Sequence, residues 1–147
     1  MTDSGYIKKE LIGLDQIEKL IRRASRDIKV AEANLEIDEE VTYNYAYLAM
    51  LRTGRALMFI KGFRPIDGAQ HKTVVEFAGA ILGQKYSRMI KRFDNMRKKR
   101  NMFTYEPDIP VSLTEAKDAL RLSREWVTEM CSYLSTINPQ INFLNNP

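Results

Sequence analysis

The chain has 147 residues, of which 44% are hydrophobic and 29% are charged, and its formal net charge is +4. This length suits one domain, and this composition excludes an intrinsically disordered chain. The lone cysteine, Cys131, excludes an internal disulfide, and no Cys/His cluster has the spacing of a zinc site. We therefore expect one domain over residues 1–147 that uses no metal ion and no cofactor.

The N-terminus lacks the features of a signal peptide, and no apolar run reaches membrane-spanning length. We therefore expect a cytoplasmic protein with no membrane partner.

Two long helices are predicted in the first half of the chain. Apolar residues at steps of three and four predict the first helix over about 14–31, and Asp15 is its expected start. The acidic stretch 36–40 predicts the start of the second, because carboxylates are stabilised near the positive end of a helix dipole. The second helix is expected to end at Lys61, with Gly62 as a left-handed cap. The residues expected on its inward face are Tyr45, Leu48, Ala49, Arg52, Ala56, Phe59 and Ile60.

Residues 63–68 contain a proline and an Asp-Gly pair, which predict a loop. A short helix is expected from about His71 to Leu82, and Gly83 is expected to interrupt it before a fourth helix over about 84–101.

Ser112, with Glu115 three residues later, has the pattern of a capping box and predicts the start of the last helix. No alternating pattern predicts a strand. The fold class is therefore all-α: an antiparallel bundle of four long helices plus one short helix, with residues 1–10 and 138–147 as flexible tails.

The positive charge is concentrated in one segment. Between Lys85 and Arg100 there are eight basic residues and one acidic residue, so this segment is +7 and the rest of the chain is −3. A concentrated basic patch attracts polyanions more strongly than the total charge suggests.

The helical positions of the last residues of this segment predict that their side chains point in different directions. Arg100 lies seven residues after Phe93 and Asn101 lies eleven after Ile90, so both are expected to face inward, while Lys98 and Lys99 face outward. An inward arginine either pairs with a carboxylate or lines a cleft that binds phosphate. The sequence leaves both alternatives open.

Several short motifs occur together, in an order and spacing that resemble the HEPN family. They are Tyr43 to Tyr47, Ala56-Leu57, Lys61-Gly62, Arg64-Pro65, Gln70 to Phe77, and Arg97 to Asn101 with Tyr105-Glu106. This resemblance covers nearly the whole chain. It implies a helical bundle that forms a homodimer and is a metal-independent ribonuclease, a toxin paired with a nucleotidyltransferase antitoxin, or a non-catalytic module that binds RNA or a nucleotide.

In catalytic members of that family an arginine, commonly followed by a polar residue, precedes a histidine by four to six intervening residues. Arg100 and Asn101 match the first two positions, but Tyr105 stands where the resemblance implies the histidine. Tyrosine has an ordinary pKa of about 10 and is a poor general base at neutral pH. Its ring could bind RNA by hydrogen bonding or stacking, or it could pack the helix end against the last helix.

His71, the only histidine, is a weaker catalytic candidate because it lies far from Arg100 in sequence. Arg52 and Arg55 are candidates for an additional phosphate-binding surface.

These observations predict a module that binds RNA or a nucleotide through Arg97, Lys98, Lys99 and Arg100, in a basic cleft at the end of the fourth helix. By resemblance it would belong to a toxin–antitoxin or defence system. The first alternative is a metal-independent endoribonuclease that uses Arg100 with Asn101, Tyr105 or His71, with weak or no activity because Tyr105 replaces the histidine. The second is a non-catalytic partner of a nucleotidyltransferase, which rests on the resemblance alone.

Overall fold

The structure is a computed structural model that describes residues 7–9 by their backbone, and residues 13–66 and 70–140 in full. Within these residues the chain forms four long helices and one short helix, as predicted. They are α1 (Leu14–Asn34), α2 (Glu39–Ile60), α3 (Gln70–Leu82), α4 (Ser87–Tyr105) and α5 (Leu113–Ile137), with a 3₁₀ turn, Gln84–Tyr86, before α4. The all-α class is therefore confirmed.

The ends of the helices follow local chemistry. Gly62 and Gly83 have φ angles of 82° and 74°, which is the left-handed conformation that glycine adopts without a steric penalty. Ser112 and Glu115 form the predicted capping box at the start of α5. Gly13 rather than Asp15 is the N-cap of α1, and α4 continues past Asn101 to Tyr105.

A short antiparallel pair of strands was not predicted. Strand β1 (Ile7–Lys9) pairs with β2 (Phe63–Pro65), so three residues of the expected N-terminal tail and part of the expected loop are hydrogen-bonded to each other. Three residues are too few to show an alternating pattern. Of the expected C-terminal tail, residues 138–140 are described, and Asn138 caps the end of α5. Tail residues 1–6, 10 and 141–147 lie outside the described residues, as do loop residues 67 and 68.

Helix α2 occupies the centre of the domain, where α1, α3 and α5 pack around it. Trp126 of α5 is fully buried against it, and its indole nitrogen donates to the hydroxyl of Thr53 at 2.9 Å. Tyr47 and Met50 of α2 are also fully buried.

The predicted face of α2 is only part of its buried surface. Ala49 and Ala56 are buried, and the half-buried Leu48, Phe59 and Ile60 pack against the core, as expected. Tyr45 and Arg52 are half-buried. The reason is that several helices cover α2 at once, so residues around most of its circumference are buried and no single face dominates.

Arg52 pairs with the buried carboxylate of Asp27 in α1. Burial raises the pKa of Asp27, and the Arg52 guanidinium opposes that shift. Arg52 therefore ties α2 to α1. None of the helices described here is both long and apolar enough to cross a lipid bilayer.

Candidate nucleic-acid interface

Arg97 and Lys98 lie at the end of α4 and share one carboxylate. The Arg97 side chain is 14% exposed and its Nε donates to Asp94 at 2.9 Å, while Lys98 is 63% exposed with its Nζ 3.2 Å from the same carboxylate. Burial acts to raise the pKa of Asp94, but the hydrogen bonds from Arg97 and Lys98 outweigh it and hold that pKa below its ordinary value. Two cations are therefore balanced by one anion.

Lys99 does not face outward as its helical phase suggested. Its side chain is 24% exposed, and its ammonium group pairs with Glu115 at the start of α5. The hydrogen bond from Lys99 is the main reason why the pKa of Glu115 is lowered. Lys99 thus joins α4 to α5, and its charge is compensated within the domain.

Arg100 is half-buried and turns towards α2, as its helical phase predicted. Its Nε donates to the amide oxygen of Asn44 at 3.1 Å. Among the described residues no carboxylate pairs with Arg100, so the alternative of a salt bridge to this arginine is wrong over that part of the chain. Its positive charge has only a neutral partner.

His71, at the start of α3, lies close enough to the same arginine for the Arg100 charge to act on its imidazole. Its Nδ1 is 2.9 Å from the hydroxyl of the fully buried Tyr47, with the donor set by the imidazole tautomer. The pKa of His71 is lowered to about 4, mainly by burial and in smaller part by the charges of Arg100, Arg55 and Arg97. The imidazole is therefore neutral at pH 7.

Arg55 completes this group of residues. One of its terminal nitrogens donates to the side-chain oxygen of Gln70 at 3.1 Å, and its buried Nε has no hydrogen-bond partner within the described residues. Burial lowers the pKa of Arg55, and the nearby Arg52 charge adds to this effect. Like Arg100, Arg55 has a neutral partner only.

We call Tyr47, Arg55, His71, Arg97 and Arg100 the His71 cluster. Its three guanidinium groups act on one neutral imidazole, and over the part of the chain that the structure describes Asp94 is the one carboxylate that pairs with a member of the cluster. Guanidinium groups match phosphate oxygens in geometry and charge. This arrangement can bind a phosphate, and its imidazole can exchange one proton with a bound ligand.

Tyr105, another predicted catalytic residue, lies on the surface of the domain. Tyr105 is the last residue of α4 and is 82% exposed, so its ring does not pack the helix end against α5. Five residues of helix place it about 140° around the axis from Arg100. Asn101 is half-buried beside Arg100 in sequence. The structure therefore brings His71 to Arg100 and leaves Tyr105 on the surface.

A groove of about 840 Å³ lies between α3 and α4. Its floor includes Val75, Gly79 and Ile90, and its rim includes Arg97 and Lys98. We call it the α3–α4 groove.

Sequence reasoning missed the roles of Asn44 and Tyr47 in the site. One signal was present, since Asn44 and Arg55 are eleven residues apart, which is three helical turns and about 20° of phase. They therefore lie on nearly the same side of α2, where Asn44 accepts from Arg100 and the charge of Arg55 acts on His71.

The fold and the site together define a small all-helical domain with a cluster of incompletely paired arginines around one histidine. The family model for the HEPN domain matches residues 17–132, which is most of the chain. The chain therefore belongs to the HEPN family. Domains of this family often dimerise and bind RNA, and many are ribonucleases or nucleotide-related proteins of toxin or defence systems. No curated protein matches the chain.

Proposed function

We propose that this HEPN domain binds RNA or a nucleotide through the His71 cluster, with Lys98 and Lys99 at its edge, as part of a toxin–antitoxin or defence system. One observation carries the proposal: Arg100 and Arg55 are half-buried cations whose hydrogen-bond partners are neutral. These partners are Asn44 and Gln70. A buried charge without a counter-ion is costly. A phosphate group would supply the missing negative charge.

The cluster favours binding over cleavage. His71 has a low pKa and Tyr105 is turned away from Arg100, so neither matches a general acid–base group poised near pH 7. Arg100 and Arg97 would hold phosphate oxygens, and the neutral imidazole of His71 would offer a hydrogen bond. Such binding should weaken steeply as salt rises.

Fluorescence anisotropy with a labelled RNA oligonucleotide, at low and moderate salt, tests the proposal. Arg100→Gln removes the charge but keeps an amide that can hydrogen-bond to Asn44, and we expect it to weaken binding at least about tenfold. Arg100→Lys keeps the charge and should weaken it less. The matched control, Arg121→Gln on α5, removes an exposed arginine that pairs with Asp118. The proposal would be refuted if the wild-type chain did not bind RNA, or if the wild type and the three variants bound it with equal affinity.

A metal-independent ribonuclease is the second candidate function, and the position of His71 beside Arg100 favours it. The imidazole would accept the proton of a ribose 2′-hydroxyl as that oxygen bonds to the adjacent phosphorus. The bond to the 5′-oxygen would break, and that oxygen would take a proton from water. Cleavage of RNA in the presence of a chelator, lost in both Arg100→Gln and His71→Asn, would support this activity. Intact RNA at high protein concentration would exclude it.

We also propose that two copies of the chain associate through the α3–α4 groove, because its floor is apolar and members of the family often dimerise. Light scattering tests this. Glu76→Lys on the rim of the groove should shift the molecular mass towards the monomer, whereas Glu125→Lys on α5 should not. A monomeric wild-type chain would contradict the proposal.

A further inference from the structure

A second basic surface adjoins the His71 cluster at Arg55, which belongs to both. It contains a groove of about 620 Å³ along α1, which we call the α1 groove, and a groove of about 440 Å³ beside β2, which we call the β2 groove. Leu20 and Phe59 line both, so the two grooves are continuous.

The described residues that line these grooves include basic side chains and no acidic ones. Four basic residues of α1 line the α1 groove, namely Lys19, Arg22, Arg23 and Arg26, and Arg55 and Arg64 line the β2 groove. Among the described residues no carboxylate lines either groove. The four α1 residues are exposed, and the Arg22–Glu18 pair, at 3.9 Å, is too long and too exposed to neutralise the wall.

Arg55 connects the two surfaces. It lines the β2 groove, hydrogen-bonds to Gln70 there, and is one of the guanidinium groups that lower the pKa of the neighbouring His71. On α2, the distance from Tyr47 in the cluster to Phe59 in the grooves is twelve residues, or about 18 Å. A positive path of this length is longer than one nucleotide needs.

The floor of the path is apolar and partly aromatic. Phe59 is half-buried, and the Arg64 guanidinium lies 5.2 Å from the centre of its ring. Positive walls that follow a phosphate backbone, with an aromatic surface for the bases, are typical of proteins that bind single strands.

We propose that the site takes an extended single strand of RNA rather than a lone nucleotide, and that the strand runs from the His71 cluster past Arg55 into the β2 and α1 grooves. This inference rests on the proposed function and names its substrate class. It requires that affinity rise with strand length until the grooves are filled. Lys19 and Arg22 then contact phosphates that a short strand does not reach.

Binding of a trinucleotide and of a twelve-nucleotide RNA without secondary structure tests this inference. The double variant Lys19→Gln/Arg22→Gln removes two phosphate contacts, which should reduce the slope of log affinity against log salt by about 1.4. If the wild-type chain and the variant bind the long strand equally at 1 M salt, this difference in slope makes the variant bind it about 25-fold more weakly at 0.1 M salt. Affinity for the trinucleotide should not change. The control, Lys117→Gln/Arg121→Gln on the exposed side of α5, loses the same charge and should keep both affinities.

The outcomes separate this inference from the proposed function. If both probes bind equally well, or if the control weakens the long strand as much as the α1 variant does, the path is refuted. If Arg100→Gln still weakens both probes in that case, the His71 cluster keeps its proposed role. If neither probe binds the wild-type chain, both proposals fail.

Discussion

His71 should make the stability of the chain depend on pH in a window where few other side chains titrate. Its pKa is about 4 in the folded domain and about 6.5 in the unfolded chain, so the unfolded chain binds the proton first as pH falls. The stabilising effect is full above pH 6.5 and is lost progressively between pH 6.5 and 4. From these two values, the free energy of unfolding should fall by about 2 kcal/mol between pH 7 and 5. Solvent screening of a half-buried group reduces this to about 1–2 kcal/mol.

Urea unfolding at pH 7, 6 and 5 measures the effect, with His71→Asn as the matched variant. Asparagine places a polar atom close to the position of Nδ1, so Tyr47 keeps a hydrogen-bond partner while the titrating group is removed. Because the chain has one histidine, its ring-proton NMR signal gives an independent titration. Equal pH dependence in both proteins, or an NMR midpoint near 6.5, would show that the guanidinium groups and burial do not act on His71 as described.

Three further changes should lower stability in urea unfolding. Gly54→Ala places a methyl group 2.6 Å from Cγ1 of Val74. This clash should outweigh the gain in helix propensity, so that the free energy of unfolding falls by about 1–2 kcal/mol. A more stable variant would show that α3 moves aside freely. Trp126→Phe removes the indole donor from the buried hydroxyl of Thr53, at a cost of about 2 kcal/mol; an unchanged midpoint would contradict that role. Ser112→Ala removes half of the capping box and should cost about 1 kcal/mol, whereas Ser135→Ala near the end of the same helix should cost less.

Helix ends could be predicted because their causes are local. Gly62, Gly83 and the pair Ser112 and Glu115 act within a few residues of the turn or cap that they form, so the sequence alone identifies them. The inward direction of Arg100 was predictable for the same reason, since it depends only on helical phase. Helical phase does not reveal the hydrogen-bond partner of Arg100, which is Asn44, fifty-six residues earlier in the chain.

Lys99 shows where phase reasoning fails. Its position on α4 predicted a solvated side chain, but the first turn of α5 brings Glu115 within reach of its ammonium group. His71 and Tyr47 are a second case, because they lie on different helices and their contact depends on how α3 packs on α2. Contacts between helices depend on packing that no local pattern encodes, so this part of the site required the structure.

Partners, rather than the number of basic residues, decide which charges can bind a ligand. The run from Arg97 to Arg100 looks uniform in sequence, yet Arg97 and Lys98 share Asp94 and Lys99 is paired with Glu115. Arg100 has only a neutral partner, and so does Arg55, which the run does not contain. The two arginines whose partners are neutral therefore lie on different helices, and the charges of both act on His71. A ligand that binds both arginines would therefore contact α2 and α4 together, rather than the end of α4 alone.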